Sequence, residues 1–285
     1  MQRNSKPYIP FSQRAGLAPI PPQLQVGEVS SDLRRLLHYY VSLEIDREAV
    51  SAWDDTRYLK DNWARVAKDL HVLFFGHAIN SFTSEVSHNM VRMAGHIERA
   101  EFGKLFDFVE FLIRHPRCSR ELKREIAETF VMARAAYRVV DDCIVAIGTE
   151  EQAAAFERAI SDADAKGATA ARKQLVAAGV ALRNSDWAGS VRESIHAVEA
   201  VAVRLAPDTD TLGAALKVLE QRGHLHGSLK AAFGSLYGYS SDEEGVRHAL
   251  VFSDEAKVDE ADALFMMGAC ASFVSYLLAR SKQVA

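Results

Sequence analysis

Ala263-Leu-Phe-Met-Met-Gly-Ala-Cys-Ala-Ser-Phe-Val-Ser-Tyr-Leu-Leu-Ala279 runs 17 residues without a charge, between Asp262 and Arg280. That length lies at the lower limit for crossing a bilayer. Small and polar residues (Gly268, Ser272, Ser275) interrupt the stretch, and the chain offers no second span of this kind. The segment therefore reads as the buried core helix of a bundle rather than as a membrane anchor. Asp259, followed by Glu260 and Asp262, supplies an N-cap and first-turn acids that suit a helix start there.

Upstream of this helix, each segment beyond residue 167 carries helical periodicity. The helices expected are Ala168 to Leu182, Trp187 to Leu205, Leu212 to Gln221 and Leu225 to Leu236. Asn184-Ser-Asp186 and Pro207-Asp-Thr-Asp210 mark breaks between them. Ser161-Asp-Ala-Asp-Ala-Lys-Gly167 is small and polar and reads as a linker, preceded by a short helix from about Glu150 to Ile160.

The N-terminal half is less regular. Pro10, Pro19, Pro21 and Pro22 bar a continuous helix over the first thirty residues. Helices are expected from Asp32, from Asp54 to Phe75, from Phe102 to Arg114, and from Ser119 as N-cap to Ala136. In the second of these, Tyr58, Leu59, Trp63, Val66, Leu70 and Leu73 form the apolar side. Two β-prone runs flank Asp141-Asp142, which predicts a small hairpin over residues 137–147. The fold class is thus mainly α, an irregular helical N-terminal domain with a small β-hairpin (1–160) followed by a helical bundle (161–285).

Composition narrows the functional classes. The chain has 285 residues, 48% hydrophobic and 25% charged, with a formal net charge of -4. A broadly basic nucleic-acid surface is not supported, although a local basic patch is compatible with that balance. Three cysteines, Cys118, Cys143 and Cys270, give neither a disulfide framework nor a zinc spacing. The N-terminus carries no apolar signal-peptide core. A reducing cytoplasm is the expected location.

Chemistry concentrates near Tyr237-Gly-Tyr-Ser-Ser-Asp-Glu-Glu-Gly-Val-Arg-His-Ala-Leu250, where Arg247 and His248 follow the acidic turn residues Asp242 and Glu243. An Arg holds phosphate through a planar fork of donors, and a His moves a proton near neutral pH. Ser240 and Ser241 precede Glu243 and Glu244 by three residues each, the spacing of a capping box. In a helix, Arg247 and His248 would diverge by about a quarter of a turn. A shared site then needs a non-helical backbone or a third group such as His196. On the Trp187 helix, Val191, Ile195, Val198, Ala202 and Leu205 form a core stripe, and Arg192, His196 and Glu199 share a neighbouring ridge. That ridge is either a supporting part of a site or a solvated face.

Other histidines read as structural or surface groups. His71 and His77, or His88 and His96, are too far apart for one helical turn, and no His-Glu-x-x-His run occurs. His224 and His226 suit a turn and a helix cap. No Gly-rich phosphate loop, nucleophile elbow or metal-ligand motif is present.

The Trp187 helix, Thr211-Leu-Gly-Ala-Ala-Leu-Lys-Val-Leu-Glu220, the Tyr237–Leu250 block and the Ala261-Asp-Ala-Leu-Phe helix together resemble the C-terminal domain of AbiJ-type abortive-infection proteins, a HEPN superfamily member. Phe11-Ser-Gln-Arg-Ala-Gly-Leu17, Phe106-Asp-Phe-Val-Glu-Phe-Leu112 and the Tyr137 hairpin are similar to the N-terminal domain often fused to it. This resemblance implies a helical bundle that forms a homodimer through its C-terminal helices. It also implies, in active members, a metal-independent endoribonuclease with its polar site at the dimer cleft and no cofactor.

Under that resemblance Arg247 binds the scissile phosphate, and His248 acts as base or acid while the ribose 2′-hydroxyl attacks. Arg192, His196, Glu199, Asp242 and Glu243 are supporting. RNA is the implied substrate, and a phage-derived or host trigger is the implied partner of the N-terminal domain. One departure stands out: the nuclease pattern leaves roughly four to six residues between its Arg and His. The positions after Arg247 at that spacing are Phe252, Ser253 and Asp254, so His248 is the candidate by adjacency. The alternative is a catalytically silent HEPN-like module that dimerises and binds a protein or nucleic-acid partner.

Overall fold

The structure, a computed structural model, describes residues 10–19, 22–241 and 258–280. The chain is mainly helical and divides into two compact units, Met1–Ile144 and Val145–Ala285.

In the first unit, α1 (Phe11–Arg14) is a single turn, and α2 (Ser31–Arg47) begins where the Ser30 side chain accepts from the Leu33 N–H. Leu33, Leu37, Val41 and Ile45 recur at four-residue spacing and are buried, so this stripe turns α2 onto the core. A hairpin, β1 (Ala49–Ser51) with β2 (Arg57–Leu59), leads into α3 (Asp61–Asp69) and a five-residue π-turn, Leu70–Phe74. After it come α4 (Val86–Arg99), α5 (Phe102–Arg114), α6 (Arg120–Met132) and β3 (Tyr137–Val140). Ser119 caps α6 as its sequence position predicts, accepting from the Leu122 N–H at 3.0 Å.

The helix expected over Asp54–Phe75 is corrected at both ends. Asp55 adopts a left-handed φ of 64°, and the Asp54 carboxylate accepts the Thr56 N–H at 3.1 Å, closing a turn instead of a helix. Tyr58 and Leu59 therefore lie in β2. At the other end the π-turn replaces α-helix, and Leu73, expected in the core, is 71% exposed while His71 is buried.

The expected hairpin forms between β3 and β4 (Cys143–Ala146), and the boundary of the two units falls within β4. Asp141 and Asp142 at its tip both have positive φ, 54° and 57°, the backbone a two-residue primed turn requires. Tyr137 packs against Phe106 at 4.8 Å between centroids, and its hydroxyl accepts the Gly27 N–H at 2.6 Å.

The second unit holds α7 (Glu150–Ala165), α8 (Thr169–Arg183), α9 (Trp187–Leu205), α10 (Leu212–Gln221), α11 (Gly227–Ser241) and α12 (Glu260–Arg280). Residues 161–165, read as linker, continue α7. Phe156, Ala159 and Ala163 are buried at helical spacing, and alanine is the best helix former. A Thr149–Gln152 capping box starts α7.

Long and apolar enough to cross a membrane, α12 instead lays its buried face (including Met266, Cys270, Val274 and Leu277) against α7, α8 and α9. Burial of each large side chain is worth roughly 1.5–3 kcal/mol, so this helix contributes heavily to the core of its unit. Asp259 and Asp262 each donate a backbone N–H to the other's carboxylate at its start, as expected of a cap.

Candidate functional site

Two groups of chemistry-bearing side chains stand out, one in each unit. In the second unit, α9 is capped by Asp186 and buries Val191, Ile195, Val198 and Ala202, which leaves the ridge with Arg192 and His196 half exposed. The structure joins these two through a residue that sequence reading passed over, Glu193. Its carboxylate lies 3.4 Å from Arg192 Nε and 3.6 Å from His196 Nδ1. Glu199 does not join them. It turns to α10, where Oε1 accepts the Leu212 N–H at 3.0 Å, a carboxylate at the positive end of a helix.

Arg247, His248, Asp242 and Glu243 lie outside the described residues, as do Glu243 and Glu244 of the expected capping box. Both flanks of that segment are described. Helix α11 continues through Ser241, and near its end the Tyr239 hydroxyl bonds the Asp262 carboxylate in the first turn of α12. Burial first, then the charge of Asp262, raises the Tyr239 pKa. Phe233 stacks on Phe273 further along the same pair of helices. Helices α11 and α12 are thus in contact at Tyr239–Asp262 and at Phe233–Phe273. His226 caps α11 as expected, its Nδ1 accepting the Ser228 N–H at 3.1 Å.

The first unit gathers histidines that their sequence spacing sets apart. The π-turn and α4 bring His71 and His88 to either side of Arg92. Arg92 Nη1 donates to His71 Nδ1, and Nη2 donates to His88 Nε2 at 2.7 Å. On its far side, His71 Nε2 meets the Ala78 carbonyl at 3.0 Å and Ser81 Oγ at 3.1 Å. The His77 ring lies 5.2 Å from that of His71, between centroids, and stacks on Phe75. His96, one helical turn beyond Arg92, packs against Phe74, Phe75 and Phe108. Among the described residues no group of three or more His, Cys, Asp or Glu side chains is placed to hold a metal.

Beside this cluster a groove of about 810 Å³ is lined by residues including Arg65, Asp69, Phe74, Phe111, Arg114 and His115. In it the His115 ring pairs with Asp69 at 3.1 Å. A smaller groove of about 460 Å³ shares Pro116 and Arg117 with it and reaches Glu44, Trp63 and Cys118.

These features define a mainly helical protein of two units, with an Arg- and His-rich N-terminal unit ahead of a helical bundle. The chain belongs to the AbiJ N-terminal domain 4 family, whose model matches residues 10–162. AbiJ is an abortive-infection protein, so membership points to phage defence. No curated protein and no solved structure matches the chain.

Proposed function

We propose that this protein is an abortive-infection effector of phage defence whose C-terminal bundle, residues 161–285, is HEPN-like and cleaves RNA without a metal. The family match over residues 10–162 carries the defence reading. On it the N-terminal domain, residues 1–160, senses a phage-derived or host trigger in the cytoplasm, and the C-terminal helices pair two copies so that their polar segments converge. Arg247 holds the scissile phosphate and stabilises its developing charge. His248 takes or gives the proton as the 2′-hydroxyl attacks. Arg192 and His196 on α9 support them, and Asp242 and Glu243 shape the turn.

A second reading draws on one observation. Glu193 already engages Arg192 and faces His196, so the α9 ridge is charge-compensated without a phosphate. That favours a catalytically silent HEPN-like module that dimerises and binds a protein or nucleic-acid partner.

Phage challenge of cells expressing the wild type, Arg247→Ala or His248→Ala separates these readings. The catalytic reading expects the wild type to arrest growth and suppress plaques, and both variants, at equal protein level, to lose protection. Protection retained by both variants favours the silent module. Absence of protection by the wild type contradicts the defence role itself.

A further inference from the structure

The Arg92 guanidinium differs from other arginines in its unit by what it rests on. Arg47 faces three carboxylates, Arg57 pairs with Asp46, and Arg34 caps α4 by donating to the Ile97 and Ala100 carbonyls. Arg92 has no carboxylate or carbonyl partner among the described residues, and its two contacts are the imidazoles of His71 and His88. A guanidinium is permanently charged and donates only, so both rings accept through a lone pair and are neutral at those nitrogens. The cation is therefore held in place without being neutralised.

Two carboxylates on the flanking elements are committed elsewhere. Glu85 accepts from Ser87 Oγ, and Asp69 pairs with His115. Half-burying a cation with no counter-charge is unfavourable, and supplying an anion relieves that cost.

The geometry leaves donors free for such an anion. Of the five guanidinium N–H groups, two go to the histidines, and the others have no partner among the described residues. His88, accepting at Nε2, carries its proton on Nδ1. His77 is exposed and adds a third donor group beside His71. The acceptor lone pair that fixes Arg92 is itself fixed, because His71 is 1% exposed and its Nε2–H is spent on Ala78 and Ser81. All of this sits where α3 passes into a π-turn, a distortion frequent at functional sites.

We propose that Arg92, with His88 beside it, His77 next to His71, and His71 as its positioning residue, forms a binding site for a phosphate-class oxyanion in the N-terminal unit. This goes beyond the nuclease reading: it gives the N-terminal unit a ligand of its own, and neither Arg247 nor His248 takes part. A phosphate offers several acceptor oxygens to one planar fork and two imidazole donors. The same chemistry comes from two sources, a free nucleotide or the backbone of single-stranded RNA.

Calorimetric titration of the full chain at low salt with inorganic phosphate, ATP and a short RNA oligonucleotide tests the site. Each titration is run on the wild type and on Arg247→Ala, Arg92→Ala and the double variant His77→Ala/His88→Ala. At least one probe is expected to bind the wild type and Arg247→Ala equally, and to bind Arg92→Ala at least about tenfold more weakly, the loss of one charge-assisted bond. The exposed double variant, which leaves the core untouched, is expected to weaken binding about two- to fivefold.

A preference for ATP identifies a free nucleotide as the ligand. A preference for RNA that persists in Arg247→Ala, with a steep salt dependence, identifies the nucleic-acid backbone. Failure of all three probes to bind the wild type overturns the proposal, as does undiminished binding by the double variant. If Arg92→Ala does not fold, the double variant alone decides.

Discussion

The Arg47 guanidinium lies flat against the Glu125 carboxylate, Nη2 to Oε1 at 3.0 Å and Nη1 to Oε2 at 3.2 Å, joining α2 to α6 through two parallel bonds. Beneath it Glu44, 2% exposed, accepts the Trp63 Nε1–H at 3.1 Å and lies 3.3 Å from Arg47. One cation thus compensates two buried carboxylates. The Glu125 bond, ahead of the other contributions, raises the Arg47 pKa further, so the guanidinium keeps its charge.

Removing that cation strands both acids. Arg47→Ala is expected to destabilise the first unit by about 2–3 kcal/mol, less than a fully buried pair would lose because Arg47 keeps one third of its side chain in water. Urea denaturation measures it, and a change below about 0.5 kcal/mol contradicts the network's role.

Close packing of α8 makes a second expectation. A Cβ at Gly179 would come 2.6 Å from the Val145 Cβ, a side chain that is itself fully buried. Gly179→Val should cost about 1–3 kcal/mol through overpacking, read as a lowered thermal midpoint, whereas Gly213→Ala, with open space around it, should not.

Glu199 separates structural from catalytic support. Because its carboxylate holds the α10 N-terminus, Glu199→Ala should lose about 1 kcal/mol of stability. RNA cleavage by the folded variant should match the wild type. Cleavage that falls more than about tenfold at unchanged fold would return Glu199 to the chemistry.

Thiol chemistry reports the two cores. Burial pushes the Cys118 and Cys270 thiols up to about 12 from an ordinary 9.0, so neither forms thiolate near neutrality. In the native protein at neutral pH, an alkylating reagent should modify Cys143, the half-exposed thiol, and reach the other two only in denaturant. A folded-state pKa raised above the unfolded value gives stability that is complete below about pH 9 and declines as pH climbs toward 12. Rapid native labelling of Cys270 would contradict the packing of α12.

Helices α8, α9 and α10 of the second unit were legible because each level of the sequence agrees. Val191, Ile195, Val198 and Ala202 mark one face of α9, and Thr211 and Asp186 cap where the pattern begins. The Asp141-Asp142 hairpin was equally plain, since short acidic side chains tolerate the left-handed backbone its tip needs. The β1–β2 hairpin was hidden because Asp54 makes its turn through a side-chain bond that leaves no hydrophobic trace. The π-turn was hidden too: one extra residue in a helix shifts the face of Leu73 without altering the pattern before it. Among the sites, the α9 ridge was visible from spacing, but Glu193 was not, since adjacent residues do not ordinarily share a face. The Arg92 cluster depends on how the π-turn registers against α4, which chain spacing does not encode. Its one local signal is His88, Arg92 and His96 at four-residue intervals.

Incubating purified protein with total cellular RNA in excess chelator, wild type beside Arg247→Ala and His248→Ala, tests the catalytic claim most directly. The wild type is expected to release fragments ending in a cyclic phosphate, and both variants to leave the RNA whole. Intact RNA with the wild type, or equal cleavage by all three proteins, contradicts it.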